Sequence, residues 1–561
     1  MYKLRKLHKW LALIVGLQIF LWGISGLYMT VIDLDIIHGD HLVKELPAEV
    51  ISLDSVNPLS QIALKEFNAS DTSHALTDIS LKNIAGNPYY QLDAKRQRIL
   101  IDAQTSLKPK AVSKAEILKQ IELIYAGQDE LMSVELLDRY PSEIGGRNKG
   151  VWRAEFDDLF NSTLYFEVST GRLISKRSDL WRIFDFFWML HIMDYQTRED
   201  IENKLFRLFA ILSLIFTFLA WWLLYLRLKN LTKLSEAIKA KKEAPSTFML
   251  MTRKLHRWLA ILISIQLFLW IAGGVTFTFM DMRAVGGNFL YKNSPKEPIK
   301  LIIDHKRILE SYPNAIKISQ YSQLGKTYAK VWMKDNTVIL DQSFEVVEPL
   351  SKAKLRDIAQ SRYAGNGELI AVDKMIFHND ENQGLPLPHW RMTYNDEHNA
   401  RIYLSGDTGQ FLATRTDTWK LFDFFMMVHF MDYWDRGNFN NGLVIFFALV
   451  LVFFSLSGIL LLSKNFTKND FLRIINKIFF RKKVLLNTSL TNGKQEQLEV
   501  NKYEILFDVL SRINKTPQSK CGGAGECRQC WVKSESTKNN EQTVILSCQY
   551  VLTEDVTIKL R

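Results

Sequence analysis

The sequence predicts a membrane α-helical protein: a pseudo-twofold bundle of four spanning helices, two α+β lobes outside the membrane and a small C-terminal domain. Three observations predict this class. Four long stretches are apolar and uncharged, the first half of the chain recurs in the second, and all four cysteines lie in the last 41 residues. The preceding 520 residues therefore cannot contain a disulfide, which excludes a secreted disulfide scaffold.

The four apolar stretches are long enough to cross a bilayer. Lys9 to Asp33 and Arg257 to Asp281 each enclose 23 uncharged residues, and Leu208–Leu226 and Gly442–Ser463 provide 19 and 22. About 20 apolar residues span a hydrocarbon core, so each stretch predicts a transmembrane helix. The first is too long for the apolar region of a signal peptide and lacks a small-residue cleavage site.

The basic residues set the predicted orientation. Lys and Arg gather before Trp10, between Arg227 and Arg257, and after Ser463. Because positive flanks stay in the cytoplasm, both termini and the central loop are expected inside and the two long segments outside. Since the basic residues that give the net charge of +11 lie beside the apolar stretches, the expected partner is a lipid bilayer, and nucleic-acid binding is not expected.

The chain contains two parallel copies of one unit. The segments beginning at Arg5 (RKLHKWLALIVGLQIFLWGISGLYMT) and Arg253 (RKLHRWLAILISIQLFLWIAGGVTFT) agree at 13 of 26 positions. The segments beginning at Trp181 (WRIFDFFWMLHIMDY) and Trp419 (WKLFDFFMMVHFMDY) agree at 10 of 15. Each copy therefore reads as a span, an outer lobe, an amphipathic segment and a second span.

The lobes show alternating apolar runs, each preceded by a helical stretch (114–125 and 351–363), as expected of small α+β modules. With the RKLH(K/R)W and WxxFDFF…H…DY motifs, the tandem arrangement resembles the PepSY-associated transmembrane family over residues 1–465. The resemblance implies a bacterial inner-membrane protein. It also implies a reductase that uses b-type haems to deliver electrons to ferric iron, often as a ferric siderophore.

The predicted division follows from these features. It comprises a first span (1–32), a periplasmic PepSY-like lobe (33–180), an interfacial amphipathic segment (181–203), a second span (204–227), a cytoplasmic basic loop (228–256), a third span (257–281), a second PepSY-like lobe (282–418), a second interfacial segment (419–441), a fourth span (442–463), a basic linker (464–483) and a C-terminal domain (484–561).

Four of the eleven histidines occupy matched positions of the repeat: His8 with His256, and His191 with His429. Imidazoles from two facing helices are what a bis-histidine haem needs, so the pairs predict an inner and an outer haem b site. The alternative is that these histidines are interfacial residues that contact headgroups or cap helices. Nearby carboxylates either orient the imidazoles or are solvated: Asp185, Asp194, Asp423 and Asp432. Helix packing accounts for two further matched pairs: Gln18 with Gln266, and Gly26 with Gly274.

The cysteines form a C-x5-C-x2-C run, Cys521, Cys527 and Cys530, followed by Cys548. Four thiolates, three of them in one glycine-rich loop, predict a [2Fe–2S] cluster. A structural zinc site is the alternative, although zinc sites usually contain two C-x2-C knuckles. Predicted strands at 483–490, 497–500 and 556–560 and a helix at 503–513 resemble a β-grasp ferredoxin domain.

Together these sites predict a transmembrane oxidoreductase. Electrons are expected to pass from a cytoplasmic donor through the cluster and two haems to a periplasmic acceptor, which the resemblance implies is a ferric chelate. Because no nicotinamide or flavin fingerprint is present, a separate electron-donor reductase is expected as partner. One alternative is a PepSY-type periplasmic binding or inhibitory module with a redox-sensing cluster. Another is a metal transporter, which the lack of acidic residues in the spans disfavours.

Overall fold

The computed structural model describes residues 2–44, 49–59, 76–94, 98–229, 247–292, 297–323, 325–434, 436–466, 468–489, 495–517, 519, 529–536 and 542–559. The chain separates into two compact units. The first comprises Met1–Val31, Phe187–Phe279 and Met426–Arg561, and the second comprises Ile32–Phe186 and Met280–Phe425.

The helices follow the apolar and capping patterns of the sequence. Ser113 and Glu116, for example, form a capping box at the start of a helix that the sequence predicts to within one residue. The helices are α1 (Tyr2–Val31), α2 (Leu34–His38), α3 (Lys114–Ile124), α4 (Asp179–Ile192), α5 (Lys204–Lys229), α6 (Thr247–Phe279), α7 (Met282–Gly286), α8 (His305–Ser311), α9 (Lys352–Arg362), α10 (Asp417–Phe430), α11 (Gly442–Asn465), α12 (Lys468–Ile475) and α13 (Leu506–Arg512).

Four of these helices are long and apolar enough to cross a membrane: α1, α5, α6 and α11, over 28, 23, 29 and 23 residues. The predicted existence of four such helices is confirmed. One hydrophobic cluster draws buried residues from all four, including Val15, Phe216, Ile263 and Leu451. Their remaining surfaces are also apolar, as expected of helices that face lipid.

Some strands, such as those at Lys326–Trp332 and Lys483–Ser489, alternate between buried and more exposed positions, whereas others, such as Thr163–Glu167 and Arg401–Ser405, are buried along most of their length. The strands are β1 (Leu76–Ile84), β2 (Asn87–Ala94), β3 (Arg98–Asp102), β4 (Leu131–Leu137), β5 (Val151–Phe156), β6 (Thr163–Glu167), β7 (Leu173–Arg177), β8 (Lys317–Gln323), β9 (Lys326–Trp332), β10 (Thr337–Leu340), β11 (Leu369–Met375), β12 (His389–Tyr394), β13 (Arg401–Ser405), β14 (Phe411–Arg415), β15 (Lys483–Ser489), β16 (Gln495–Asn501), β17 (Trp531–Ser536), β18 (Gln542–Leu546) and β19 (Val556–Lys559).

Three sheets lie in the second unit. Two have four strands, in the orders β4-β5-β6-β7 and β11-β12-β13-β14, and each packs on its own helix, α3 or α9. The third has six strands in the order β10-β9-β8-β1-β2-β3 and combines strands from both copies of the repeat. The copies join where β1 pairs antiparallel with β8, from Asp78 opposite Tyr321 to Lys82 opposite Lys317.

The predicted fold class, a membrane α-helical four-helix pseudo-twofold bundle with two PepSY-like lobes and a β-grasp ferredoxin domain, is wrong as a description of the chain. In the part of the chain that the structure describes, helices account for 42% of the residues and strands for 25%, in four sheets. The lobes are not separate modules, because β1 and β8 complete one sheet and the residues around them share one core. Pairing satisfies the backbone groups that two open sheet edges would expose.

The C-terminal sheet belongs to the first unit and has the order β16-β15-β19-β17-β18. Its β15 and β19 pair in parallel, and the other neighbours pair antiparallel. Helix α13 packs Leu506, Val509 and Leu510 into its core. The sequence predicts β15, β16, α13 and β19 to within a few residues but not the hairpin of β17 and β18.

Candidate cofactor site

The structure brings His191 and His429 together. Each lies in the last turn of its helix, His191 in α4 and His429 in α10. Their ring centres are 6.2 Å apart, and the ring planes are perpendicular at 90°. The two copies of the repeat therefore place their matched imidazoles side by side.

Three polar side chains hold the end of α4 that carries His191. Gln18, Trp22 and Asn203 donate, in that order, to the carbonyl oxygens of residues 190, 191 and 192 at 3.4, 2.8 and 2.9 Å. The last carbonyls of a helix have no partner within the helix, and leaving them unpaired in an apolar environment is costly. These donors therefore fix both the end of α4 and the position of the His191 ring.

The second copy repeats this arrangement. Gln266, Trp270 and Asn441 donate to the carbonyl oxygens of residues 428, 429 and 430 at 3.2, 2.8 and 2.8 Å. The sequence predicts helix packing as the role of the matched glutamines, Gln18 and Gln266. In the structure, the matched glutamines and the matched tryptophans donate hydrogen bonds to the helix ends that carry the imidazoles. The sequence signal for this role is that the same glutamine and the same tryptophan occur at matched positions of both copies.

Ser25 determines which nitrogen of His191 carries a proton. Its Oγ donates to the carbonyl oxygen of Trp22 at 3.1 Å and lies 3.0 Å from His191 Nδ1. Because the hydroxyl proton is already engaged, Oγ accepts the hydrogen bond, and Nδ1 carries the imidazole proton. The lone pair then remains on Nε2, the tautomer that a metal ligand bonded through Nε2 needs.

Burial keeps both imidazoles neutral. Burial, and to a smaller extent the proximity of His429, lowers the pKa of His191 to about 3. Burial lowers the pKa of His429 to about 4. Since a protonated imidazole cannot bind a metal, these depressed pKa values leave both side chains competent as ligands at neutral pH.

The geometry of the pair fits a bis-histidine haem. Two axial imidazoles stand about 6 Å apart centre to centre, because a metal–nitrogen bond is about 2 Å and the ring centre lies about 1 Å beyond the nitrogen. The observed separation is 6.2 Å. Both histidine side chains are half-buried. The buried Nδ1 of His429 has no hydrogen-bond partner among the described residues.

His8 and His256 form a second matched pair. Each ring stacks on a phenylalanine of the next long helix, His8 on Phe216 at 4.6 Å and His256 on Phe454 at 4.5 Å, both at 13°. His8 lies 17 residues before Ser25 on α1, about 25 Å along the helix axis, so the two pairs lie toward opposite ends of that helix.

The described part of the cysteine site contains Cys530 and Cys548. Their Sγ atoms are 3.0 Å apart, both side chains are buried, and no disulfide joins them. Cys521 and Cys527 lie outside the described residues. Within the described residues no group of three or more His, Cys, Asp or Glu side chains converges on a metal position. Two of the four predicted cluster ligands are therefore close together.

One helix links the cysteines to the start of α1. Phe507 of α13 packs against both Cys530 and Cys548. The next residue, Asp508, accepts a hydrogen bond from Lys6 Nζ at 2.9 Å, and Lys6 lies two residues before His8. The cysteine site is thus held beside the end of α1 that carries the His8 imidazole.

The acidic residues near the imidazoles contact backbone groups and arginines. Asp194 accepts hydrogen bonds from the N–H groups of Glu199 and Asp200 at 3.1 and 3.0 Å, and its Thr197 and backbone partners hold its pKa well below the usual range. Asp432 binds the loop after α10 in the same way. Asp185 and Asp423 interact with Arg177 and Arg415. Asp194 and Asp432 therefore organise the loops that follow α4 and α10.

The arrangement provides two imidazole pairs at opposite ends of one apolar helix and a buried pair of thiols beside one of them. Neutral imidazoles and thiolates are ligands for iron in haem and iron–sulfur centres. Neither the comparison with protein-family models nor that with curated proteins finds a match for this chain.

Proposed function

We propose that the chain is an inner-membrane haem-containing reductase. It carries electrons from a cytoplasmic donor, through a [2Fe–2S] cluster and two bis-histidine haems, to a periplasmic acceptor, ferric iron or a ferric siderophore. The observation that carries the proposal is the pairing of His191 with His429 at 6.2 Å, because a structural role does not require two matched neutral imidazoles to face each other.

The residues around each imidazole pair would hold haem in a fixed, water-poor setting. When bound, haem supplies an iron that takes up and releases one electron at a time. Trp22 and Trp270 hold the two helix ends, and Ser25 sets the tautomer of His191. A fixed site changes little between oxidation states, which favours rapid electron transfer.

The cysteine site would receive electrons from the donor. Cys530 and Cys548, with Cys521 and Cys527, supply the four thiolates of the cluster. The Lys6–Asp508 ion pair supports electron transfer from the cluster toward His8 and His256, because it keeps α13 next to the first turns of α1. In this direction one electron per step reduces Fe³⁺ to Fe²⁺ at the acceptor.

The nature of the acceptor rests on the resemblance to the PepSY-associated reductases. The alternative is a binding or inhibitory module with a sensing cluster. It does not explain why matched imidazoles lie toward both ends of α1. We therefore keep electron transfer across the membrane as the proposed activity.

The test uses proteoliposomes that contain the purified full-length protein. A ferric chelate and a colour reagent for Fe²⁺ are trapped inside, and dithionite, which is charged and does not cross lipid, is added outside. The proposal predicts colour inside vesicles that contain the protein. Vesicles with His191→Ala serve as the matched control.

The expected result is trapped Fe²⁺ at a rate well above that of empty vesicles and a large loss of this rate in His191→Ala. Equal rates in wild-type, variant and empty vesicles would contradict the proposal.

A further inference from the structure

A short segment after the fourth apolar helix exposes unusually large apolar side chains. Ile478, Phe479 and Phe480 are 58%, 74% and 65% exposed. Basic residues flank them, Lys477 before them and Arg481 after them. We call residues 477–482 the aromatic–basic turn. Exposed apolar side chains in such a group mark an interaction surface.

The turn is held in its projecting shape by one buried residue. Asn476, 1% exposed, donates to the carbonyl oxygens of Lys482 and Lys502 at 2.8 and 3.2 Å and accepts from the Lys482 N–H at 2.9 Å. The residues between form a π-helical turn that ends at Arg481, whose φ is 49°. Since Asn476 ties both ends together, the apolar side chains between them are forced outward.

The turn is also fixed relative to the apolar helices. Helix α12, which leads into it, is joined to the start of α1 by the Lys9–Asp470 ion pair at 2.9 Å. Phe471 packs against Trp10 of α1 and Phe466 at the end of α11. The aromatic–basic turn therefore projects from the ends of two helices that are apolar enough to cross a membrane.

We infer that the aromatic–basic turn inserts into the headgroup region of the same bilayer and anchors the C-terminal sheet to it. Aromatic and aliphatic side chains flanked by Lys and Arg are the composition of interfacial anchors, in which the basic groups meet anionic lipid. The exposed apolar side of α12, Phe471, Ile474 and Ile475, continues this surface toward α11. The inference rests on the four apolar helices crossing a membrane.

A lipid surface fits better than a second copy of the chain. Self-association through the turn would bring Lys477, Arg481 and Lys482 against the same charges, in a protein whose net charge is already +11. Anionic headgroups complement these charges instead. A different protein could also cover the aromatic–basic turn, and the experiment below distinguishes a protein from lipid at this position.

The test places a benzophenone amino acid at position 479 of the full-length protein in native membrane vesicles, irradiates it and identifies the adduct by mass. Position 544 is the matched control, because Val544 is 65% exposed on β18, an edge strand of the C-terminal sheet that lies three strands away from β15, the strand that follows the turn.

The inference predicts lipid adducts at position 479 and, at position 544, at least several-fold fewer. An adduct of position 479 with another polypeptide would overturn the inference, and so would the same small lipid yield at both positions.

A second inference comes from a difference between the two copies. His191 Nδ1 is hydrogen-bonded to Ser25, but the position that matches Ser25 in the second copy is Gly273, which has no hydroxyl. Accordingly His429 Nδ1 has no hydrogen-bond partner among the described residues.

The other pair shows the same difference in reverse. Ser457 Oγ donates to the Phe454 carbonyl oxygen at 2.6 Å and lies 2.8 Å from His256 Nδ1. The matched position in the first copy is Leu219, and within the described chain His8 Nδ1 has no hydrogen-bond partner. Each pair therefore contains one imidazole fixed by a serine and one that is not.

We propose that Ser25 and Ser457 are positioning residues that make the two ligands of each haem unequal. This rests on the haem ligation of the proposed function. An acceptor on Nδ1–H increases the electron donation of an imidazole and so stabilises the oxidised iron. The serines would thus lower the reduction potential of each haem relative to a pair without them.

The test is a spectroscopic redox titration of purified full-length protein with Ser25→Ala. Ser264→Ala is the matched control, because the Ser264 hydroxyl donates to the carbonyl of Ile261 in its own helix. Ser25→Thr restores the hydroxyl. We expect one of the two midpoint potentials to rise in Ser25→Ala, with recovery in Ser25→Thr and no change in Ser264→Ala.

Unchanged potentials in Ser25→Ala with full haem content would overturn this inference alone. A purified wild-type protein without haem would instead overturn the proposed function on which it rests.

Discussion

The indole N–H of Trp22 donates to the carbonyl oxygen of His191 at 2.8 Å, and the matched Trp270 does the same for His429 at 2.8 Å. The hydrogen bond joins a residue of a long apolar helix to the last turn of the helix that carries the imidazole. The two copies thus fix their histidines by the same device, and the ring-to-ring separation is a consequence of it.

Replacing Trp22 by Phe is expected to loosen the His191 end of α4. The ring packing is largely kept, but a buried carbonyl oxygen loses its donor, at a cost of about 1–3 kcal/mol in the free energy of unfolding. Thermal unfolding of the purified protein measures the loss. Trp188→Phe is the matched control, because its indole donates to the exposed carbonyl of Arg198, and it should have a much smaller effect. Equal effects would contradict the structural part assigned to Trp22.

Replacing His429 by Ala is expected to remove one haem and leave the other. The His8 and His256 pair lies toward the opposite end of α1, so about half of the haem should remain after purification. Haem extracted into pyridine measures the content per chain. His398→Ala, a histidine without a mate in the repeat, should keep the wild-type content. A variant that retains all its haem would show that His429 is no ligand.

Replacing Lys6 by Ala is expected to slow electron transfer from the cluster to haem without unfolding the protein. The Lys6–Asp508 side chains are 37% and 26% exposed, so their ion pair contributes at most about 1 kcal/mol to stability. Stopped-flow absorbance at the haem bands, after reduction of the cluster, measures the rate. Lys483→Ala removes a more exposed ion pair, with Glu499, and should leave the rate unchanged. A Lys6→Ala rate equal to wild type would exclude this path.

Replacing Cys530 by Ser is expected to abolish iron and acid-labile sulfide binding by the C-terminal sheet. Cys530 is fully buried and lies 3.0 Å from Cys548, so a hydroxyl there removes one of four thiolate ligands. Metal and sulfide analysis of the purified protein measures the loss. Zinc without sulfide in the wild-type protein would favour the structural zinc site instead.

His305 should make the fold sensitive to acid. Burial lowers its pKa from 6.5 to about 4, so between these values the unfolded chain binds a proton that the folded chain does not. Stability is therefore complete above pH 6.5 and falls as the pH drops toward 4, by up to about 3 kcal/mol. His305→Phe should reduce this loss, measured as the shift in unfolding midpoint between pH 7 and 5. An equal shift in both proteins would refute the assignment.

The repeat made much of the candidate site predictable. Identity at 13 of 26 positions singled out His8 and His256, and the second repeated segment singled out His191 and His429. Length and lack of charge predicted the four apolar helices, because a span needs both properties at once. The helical stretch predicted at 114–125 likewise agrees with α3 to within one residue.

The features that the sequence did not predict depend on contacts between distant parts of the chain. The pairing of β1 with β8 joins residues more than 200 positions apart, and alternation within each strand carries no information about its neighbour. The hydrogen bond from Trp22 to His191 was equally hard to predict, because an aromatic residue in an apolar helix has many structural uses. The difference between Ser25 and Gly273 is visible in the repeat, but the sequence does not show that Ser25 contacts His191.

The most direct test of the central claim is the optical spectrum of the purified full-length protein before and after dithionite. The pairing of His191 with His429 and of His8 with His256 predicts a Soret band, sharp reduced α-bands of low-spin haem and about two haems per chain. A correctly folded preparation without a Soret band would contradict the claim.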